Sequence, residues 1–341
     1  MSIRIKSKFL VKLVYKNNSK LYLADKFLKR MNKIKKIIGG FFFMAALVSC
    51  SKNNESGEIV PPKAYSEQIP GEILEIEKFF EDYHMDVDGD KNVEFVKRIG
   101  SKAGLISIKD QYAPKFKIIR HNDYDFKVYY INHNGGGELK PEISKSPCPI
   151  DSVLVAYHGM LLKEKTGFDQ EKTTFNKNQF FDRAEYPVRF DLDKVIVGWS
   201  KMLSFMTTGT AEVDAVTNVP NFKDFGAAVL FLPSGLAYYS TTQVNIPAYS
   251  PLIFNVKLMS MKRKDHDFDG HTTFEEEYSF DASNLNAPWT NLKRDTDGDG
   301  YLNYVDRDDD NDGILTKYEA EGDDNRNGIP NYLDKEDRRR K

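Results

Sequence analysis

Val195-Ile196-Val197-Gly198-Trp199 sets an apolar, β-branched run against a glycine and an indole, after which Trp199, Leu203 and Met206 recur on one helical face. Upstream, Val153-Leu154-Val155-Ala156-Tyr157-His158-Gly159 reads as a strand ending in a turn. Phe168-Asp169 follows a short loop, and Phe190-Asp191-Leu192 leads into Val195. Downstream come Leu230-Phe231-Leu232-Pro233, Leu236-Ala237-Tyr238, and Ile246-Pro247 before the strand Leu252-Ile253-Phe254-Asn255-Val256-Lys257-Leu258. Phe126 to Ile131 is strand-like as well, and Gly135-Gly136-Gly137 with the proline-containing stretch up to Ile150 forms a loop.

From about Asp125 to Met261 this order resembles the FK506-binding-protein family, on the strength of V-x-x-G-W, the Leu-Ala-Tyr turn and the closing strand. The resemblance implies an α+β fold, a five-stranded antiparallel sheet wrapped around one short helix, with a proline pocket floored by Trp199. By motif position, Tyr157, Phe168, Asp169, Phe190, Val195, Ile196, Trp199, Tyr238, Ile246 and Phe254 match the family's pocket residues.

The chemistry suits these residue types. Rotation about an X-Pro bond crosses a barrier of about 18–20 kcal/mol because amide resonance is lost at the twisted midpoint. An apolar pocket that removes water from the carbonyl favours the twisted form, with no nucleophile, proton donor or cofactor. Tyr238 could donate to a substrate carbonyl, and Asp169 could position Tyr157, accept a contact at the pocket edge, or simply cap a turn. Val188 stands where an aromatic residue is common, Tyr249 where a histidine is common, and the loop from Leu192 to Val195 is short. Insertions at about residues 170–186 and 210–225 are expected on the pocket rim.

The charge is uneven. Residues 1–49 hold 12 Lys/Arg against one acidic residue, and residues 265–341 hold 10 against 22 Asp/Glu. Read from Met31, Lys33, Lys35 and Lys36 precede an apolar run from Ile37 to Val48 that is short for a membrane span. The run ends in Leu47-Val48-Ser49-Cys50, which resembles a bacterial lipobox. Cys50 is therefore expected to be lipidated after loss of residues 1–49, and the body to face outward from a membrane of a bacterial envelope. Ser51 is compatible with outer-membrane sorting. Cys148 is then the sole remaining cysteine, which excludes an intramolecular disulfide framework. Nucleic-acid binding has no support, because the one dense basic stretch belongs to the signal region.

Residues 51–70 are polar, with Pro61, Pro62 and Pro70, and are expected to be a flexible tether. Ile73, Leu74, Ile76, Phe79 and Phe80 predict an amphipathic helix that opens a small N-terminal subdomain over 71–123, before an isomerase-like domain over 124–262. Asp86-Val87-Asp88-Gly89-Asp90 reads as a solvated turn.

The tail, 263–341, carries the D-x-D-x-D-G-x5-E spacing of a calcium loop in Asp265, Asp267, Asp269 and Glu276. Further copies are Asp295, Asp297, Asp299 and Asp306; Asp308, Asp310, Asp312 and Glu319; and a weaker one in Asp323, Asn325, Asn327 and Asp334. Glycine stands at position six of each. The close spacing looks more like thrombospondin type 3 repeats than paired EF-hands, and structural calcium is expected.

The function expected from the whole is peptidyl-prolyl isomerisation of exported, proline-containing clients. The alternative is a non-catalytic adaptor with a calcium-stiffened tail.

Overall fold

Alternation along two central strands organises the molecule. Residues 226–232 and 252–258 are apolar almost throughout and buried on both faces, the pattern of a strand covered from both sides. The computed structural model describes residues 61–163, 180–216, 218, 220–284 and 286–338. The elements are α1 (Tyr65–Asp82), β1 (Tyr83–Val87), β2 (Val93–Lys97), α2 (Ile108–Tyr112), β3 (Lys115–His121), β4 (Tyr124–Asn132), β5 (Ser152–Leu161) and β6 (Phe180–Asp191). They continue with α3 (Val197–Leu203), β7 (Thr210–Val213), β8 (Pro220–Lys223), β9 (Gly226–Leu232), β10 (Leu252–Lys262), α4 (Thr273–Glu277), β11 (Tyr278–Phe280) and β12 (Trp289–Asn291). All lie in the unit Pro62–Lys341.

The main sheet has six antiparallel strands in the order β3-β4-β9-β10-β5-β6, not the expected five. The additional strand is β3, which the sequence reading had placed in the 71–123 subdomain. It pairs with β4 from Lys115 opposite Tyr130 to His121 opposite Tyr124. Asn122 and Asp123, both at positive φ (45° and 59°), make the two-residue turn whose twist matches a hairpin, and this ties β3 to the sheet.

The two faces of the sheet pack against different partners. Val153, Val155 and Tyr157 of β5, Ala228, Leu230 and Leu232 of β9, and Leu252, Phe254, Val256 and Leu258 of β10 face α3, whose Trp199, Met202 and Leu203 close that core. The intervening residues Val229, Phe231 and Ile253 point the other way, onto Ile76, Phe79 and Phe80 of α1 and Met85 and Phe95 of the β1–β2 hairpin. Period two thus sorts one sequence into two cores.

Helix α1 begins at Tyr65, inside the stretch expected to be tether, with Pro70 within it. The hydrogen bond that Pro70 cannot donate is offset by burial. Ile69 is 2% exposed, and the Tyr65 ring packs against Tyr124, Phe126 and Tyr239. Asp88 caps the β1–β2 turn by accepting from the Asp90 and Asn92 amides, as a solvated turn should. The insertion expected over 210–225 contains the β7–β8 hairpin.

Beyond β10 the chain runs through α4, the β11–β12 hairpin and single 3-10 turns at Asn303–Val305, Thr316–Tyr318 and Asn331–Leu333. Trp289 Nε1 donates to Ser204 O at 3.0 Å, and the Arg263 guanidinium lies over the Phe274 and Trp289 rings. Among the described residues no helix is long and apolar enough to cross a membrane.

Candidate functional site

Four elements converge on one hollow at the α3 face of the sheet. Gly198 lets the start of α3 approach closely, since a Cβ there would stand 2.6 Å from the Leu232 side chain and 3.1 Å from Leu236 O. Trp199 is thereby pressed toward the sheet, 4% exposed. Tyr157, Phe190 and Phe254 meet its indole edge-to-face, with centroids 4.9, 5.6 and 5.3 Å away and planes at 89°, 85° and 78°. That geometry sets ring edges against ring faces, as aromatic quadrupoles prefer.

Gly159 makes the same kind of room on β5. A Cβ there would lie 2.8 Å from both the Phe181 and Phe254 rings, which instead pack perpendicular at 5.6 Å.

The cavity, about 400 Å³, is lined by Tyr157, Phe190, Val195, Ile196, Trp199, Tyr238 and Phe254 from the sequence reading, together with Phe181, Asp182 and Lys194. Ile246 does not line it. That side chain is 5% exposed in the same core and borders a neighbouring depression formed by 242–251. Phe168 and Asp169 lie outside the described residues.

The described residue beside Tyr157 is Asp182, whose Oδ2 accepts from the Tyr157 hydroxyl at 2.5 Å. Burial, and then the Asp182 carboxylate, raise the Tyr157 phenol well above its ordinary range. Tyr238 is raised by the same two causes in the same order. Both hydroxyls therefore remain donors at any physiological pH. The signal that locates Asp182 was present in the sequence: Phe181-Asp182 is a second Phe-Asp pair, nearer to Phe190 than the first.

Glu72 was not anticipated at all. It is 2% exposed and accepts from the Ser234 amide at 2.7 Å and the Ser234 hydroxyl at 2.6 Å. It so anchors the turn that carries Tyr238. Tyr249 turns away from the hollow, packing on Tyr239 and accepting from the Lys63 amide. Val188 is not part of the lining either.

A family model for FKBP-type peptidyl-prolyl cis-trans isomerases matches residues 144–259. That segment is similar to an FKBP-type domain. The chain is 32% identical over 135 residues to the FKBP-type peptidyl-prolyl cis-trans isomerase FkpA of Escherichia coli (strain K12), which covers 40% of this chain and 37% of that protein. It is 25% identical over 225 residues to the FkpA of Buchnera aphidicola subsp. Baizongia pistaciae, covering 64% and 69%. A crystal structure of a peptidyl-prolyl cis-trans isomerase from Pseudomonas syringae pv. tomato aligns at 18% identity and a TM-score of 0.32, over 60% of this chain and 100% of that one. The chain thus spans only 37% of the length of the first curated relatives it matches.

A second constellation follows the matched segment directly. Gly270, Gly300, Gly313 and Gly328, at position six of the four loops, have φ of 110°, 98°, 91° and 92°, which a side chain at that position would disfavour. The carboxylate or amide at position five accepts from the amide two residues on, at 2.6 to 2.8 Å, in all four copies: His271 to Asp269, Tyr301 to Asp299, Ile314 to Asp312 and Ile329 to Asn327. Position nine, Thr273, Asn303, Thr316 or Asn331, is buried and bonded to position two in every copy. The D-x-D-x-D-G spacing did not reveal that lock.

The copies differ in how their carboxylates are satisfied. Asp265, Asp267 and Asp269 gather with ligand oxygens within 4.8 Å of one another, as do Asp295, Asp297 and Asp299, and Asp308, Asp310 and Asp312. In the first copy, Glu276 is 1% exposed and neither of its oxygens has a hydrogen-bond partner; Glu319 in the third copy, 2% exposed, is alike. Burial and the neighbouring carboxylates push Glu276 up to about 9, Glu319 to about 8, Asp267 to about 7 and Asp310 to about 6. In the fourth copy Asp334 is instead held by the Asn325 and Asn327 side-chain amides at 2.7 and 2.8 Å, and its acidity is strengthened, first by the Glu336 amide and then by Asn325. Asp306, at position twelve of the second copy, accepts from the Asp308 amide.

Proposed function

We propose that the chain is a peptidyl-prolyl cis-trans isomerase acting in the bacterial envelope, with the hollow over Trp199 as its proline site. One observation carries this reading: the indole at the floor is walled edge-to-face by Tyr157, Phe190 and Phe254, giving a water-poor surface of the size and flatness a pyrrolidine ring fills. Asp182 Oδ2 is engaged by the Tyr157 hydroxyl. Tyr238, a donor at the rim, would hold a substrate carbonyl. The twisted amide, less dipolar than the planar one, is favoured where water is excluded, and no cofactor enters. Cys50, by its lipobox-like setting, would tether the domain to the membrane near emerging clients.

The test is a proline-limited refolding reaction. The full chain is expected to accelerate it, and Trp199→Ala to abolish the acceleration. Binding of proline peptides without acceleration would favour an adaptor instead.

We further propose that the tail loops bind calcium as a structural ion. Hard oxygen ligands at alternate positions with glycine at six suit that cation. The donors that support this are the buried, unpartnered oxygens of Glu276 and Glu319, because charged groups are not left so without compensation.

A further inference from the structure

We propose that Asp309 belongs to the cation site of the first loop, so that one divalent cation joins the loop leaving β10 to the third repeat, more than thirty residues away in sequence. The inference rests on the proposal that these loops bind calcium. Asp309 is position two of its own copy, Asp308 to Glu319, and the lock at Thr316 holds its amide at 3.2 Å. Asp309 does not join the oxygens that Asp308, Asp310 and Asp312 gather in its own copy.

What it faces is the first loop. One oxygen each from Asp269, Glu276 and Asp309 lie within 4.8 Å of one another. Asp309 and Glu276 are both 1% exposed and Asp269 is 2% exposed. Both oxygens of Asp309, both of Glu276 and Oδ2 of Asp269 are buried without a hydrogen-bond partner. Three such carboxylates from two distant segments, in no ion pair with Lys or Arg among the described residues, repel one another when ionised unless a cation lies among them.

Contacts outside the carboxylate group also bring the segments together. Arg307 Nε donates to Asp267 O at 3.0 Å, and the His271 ring stacks on Tyr332 at 3.9 Å and 18°. The third and fourth copies are therefore docked against the first loop by contacts that need no ion. The positions equivalent to Asp309 in the other copies are His266, Thr296 and Asp324, and none of them joins a carboxylate group of this kind among the described residues.

The test compares the full chain with Asp309→Asn and, as a control, Asp324→Asn, using calcium titration calorimetry and melting in chelator and in calcium. Asp309→Asn is expected to weaken or remove one calcium site by roughly ten-fold or more, while Asp324→Asn leaves that site intact. In chelator Asp309→Asn is expected to melt higher than the parent, because it removes repulsion, and in calcium to gain less. Unchanged calcium binding by Asp309→Asn, or a lower melting point in chelator, overturns the inference. If the parent chain binds no calcium at all, the loop proposal fails first and this one with it.

Discussion

The hollow and the first tail loop place their carboxylates in opposite surroundings, Asp182 exposed at the edge of the hollow and Glu276 and Asp309 inside the tail. In the hollow Asp182 accepts a short hydrogen bond from Tyr157, and apart from Asp182 and Lys194 the lining is aromatic or aliphatic. In the tail, Glu276 and Asp309 are more deeply buried and meet only other carboxylates. A site finished by the protein's own donors is organised before any ligand arrives, whereas a site that collects like charges takes its stability from what it binds. The fourth tail copy makes the point within one repeat family. Two asparagines replace two acids there, and their amides satisfy Asp334 internally.

The contrast can be broken most severely at the indole. Trp199→Ala should cost about 4 kcal/mol of stability, seen in denaturant unfolding, with the calcium response of the tail unchanged. A matching loss in the tail would mean that the two regions are a single cooperative structure.

Chelation should do the reverse. Removing calcium held at about a hundred times its dissociation constant should remove about 2.7 kcal/mol per site, as a lowered transition for the tail in calorimetry. The near-ultraviolet signal of the aromatic hollow should not change.

The pH dependence follows the same division. Glu276, Glu319 and Asp267 are raised in the folded chain to about 9, 8 and 7, so between their unfolded values and these the folded state binds more protons. In chelator the stability of the tail is therefore fully present below about pH 4 and falls progressively as pH rises from there, until each group has lost its proton in the folded chain at 7 to 9. Saturating calcium should flatten that slope, and a stability that instead rises with pH in chelator would contradict the arrangement. The smallest effect belongs to Asp182→Asn, which exchanges a charge-assisted bond for a neutral one at an exposed residue and should cost about 0.5 kcal/mol in denaturant unfolding.

Much of this was legible in the sequence for a physical reason. Strands buried on both faces announce themselves by apolar continuity, and Val153–Tyr157 and Leu252–Leu258 lie in β5 and β10. The loop glycines were equally readable, because a fixed spacing enforces a local turn. What escaped was set by tertiary distance. Phe181-Asp182 reaches the hollow through the pairing of β6 with β5, Asp182 opposite Gly159. Strand β3 shows the expected half-buried alternation, but its partner across Asn122-Asp123 decided which sheet it joined. Glu72 and Asp309 reach partners 162 and 33 or more residues distant, a relation that no local pattern carries.

The family match begins at residue 144, yet β9 borders β4 from Tyr129 opposite Phe231 to Asn132 opposite Ala228, and α1 roofs its other face. A fragment trimmed to the matched segment would bare an unprotected strand margin with Phe231, Val229 and Ile253 turned to water, a surface that invites self-association. Anyone dissecting this chain for solubility should cut before Tyr65 rather than at the boundary that homology draws.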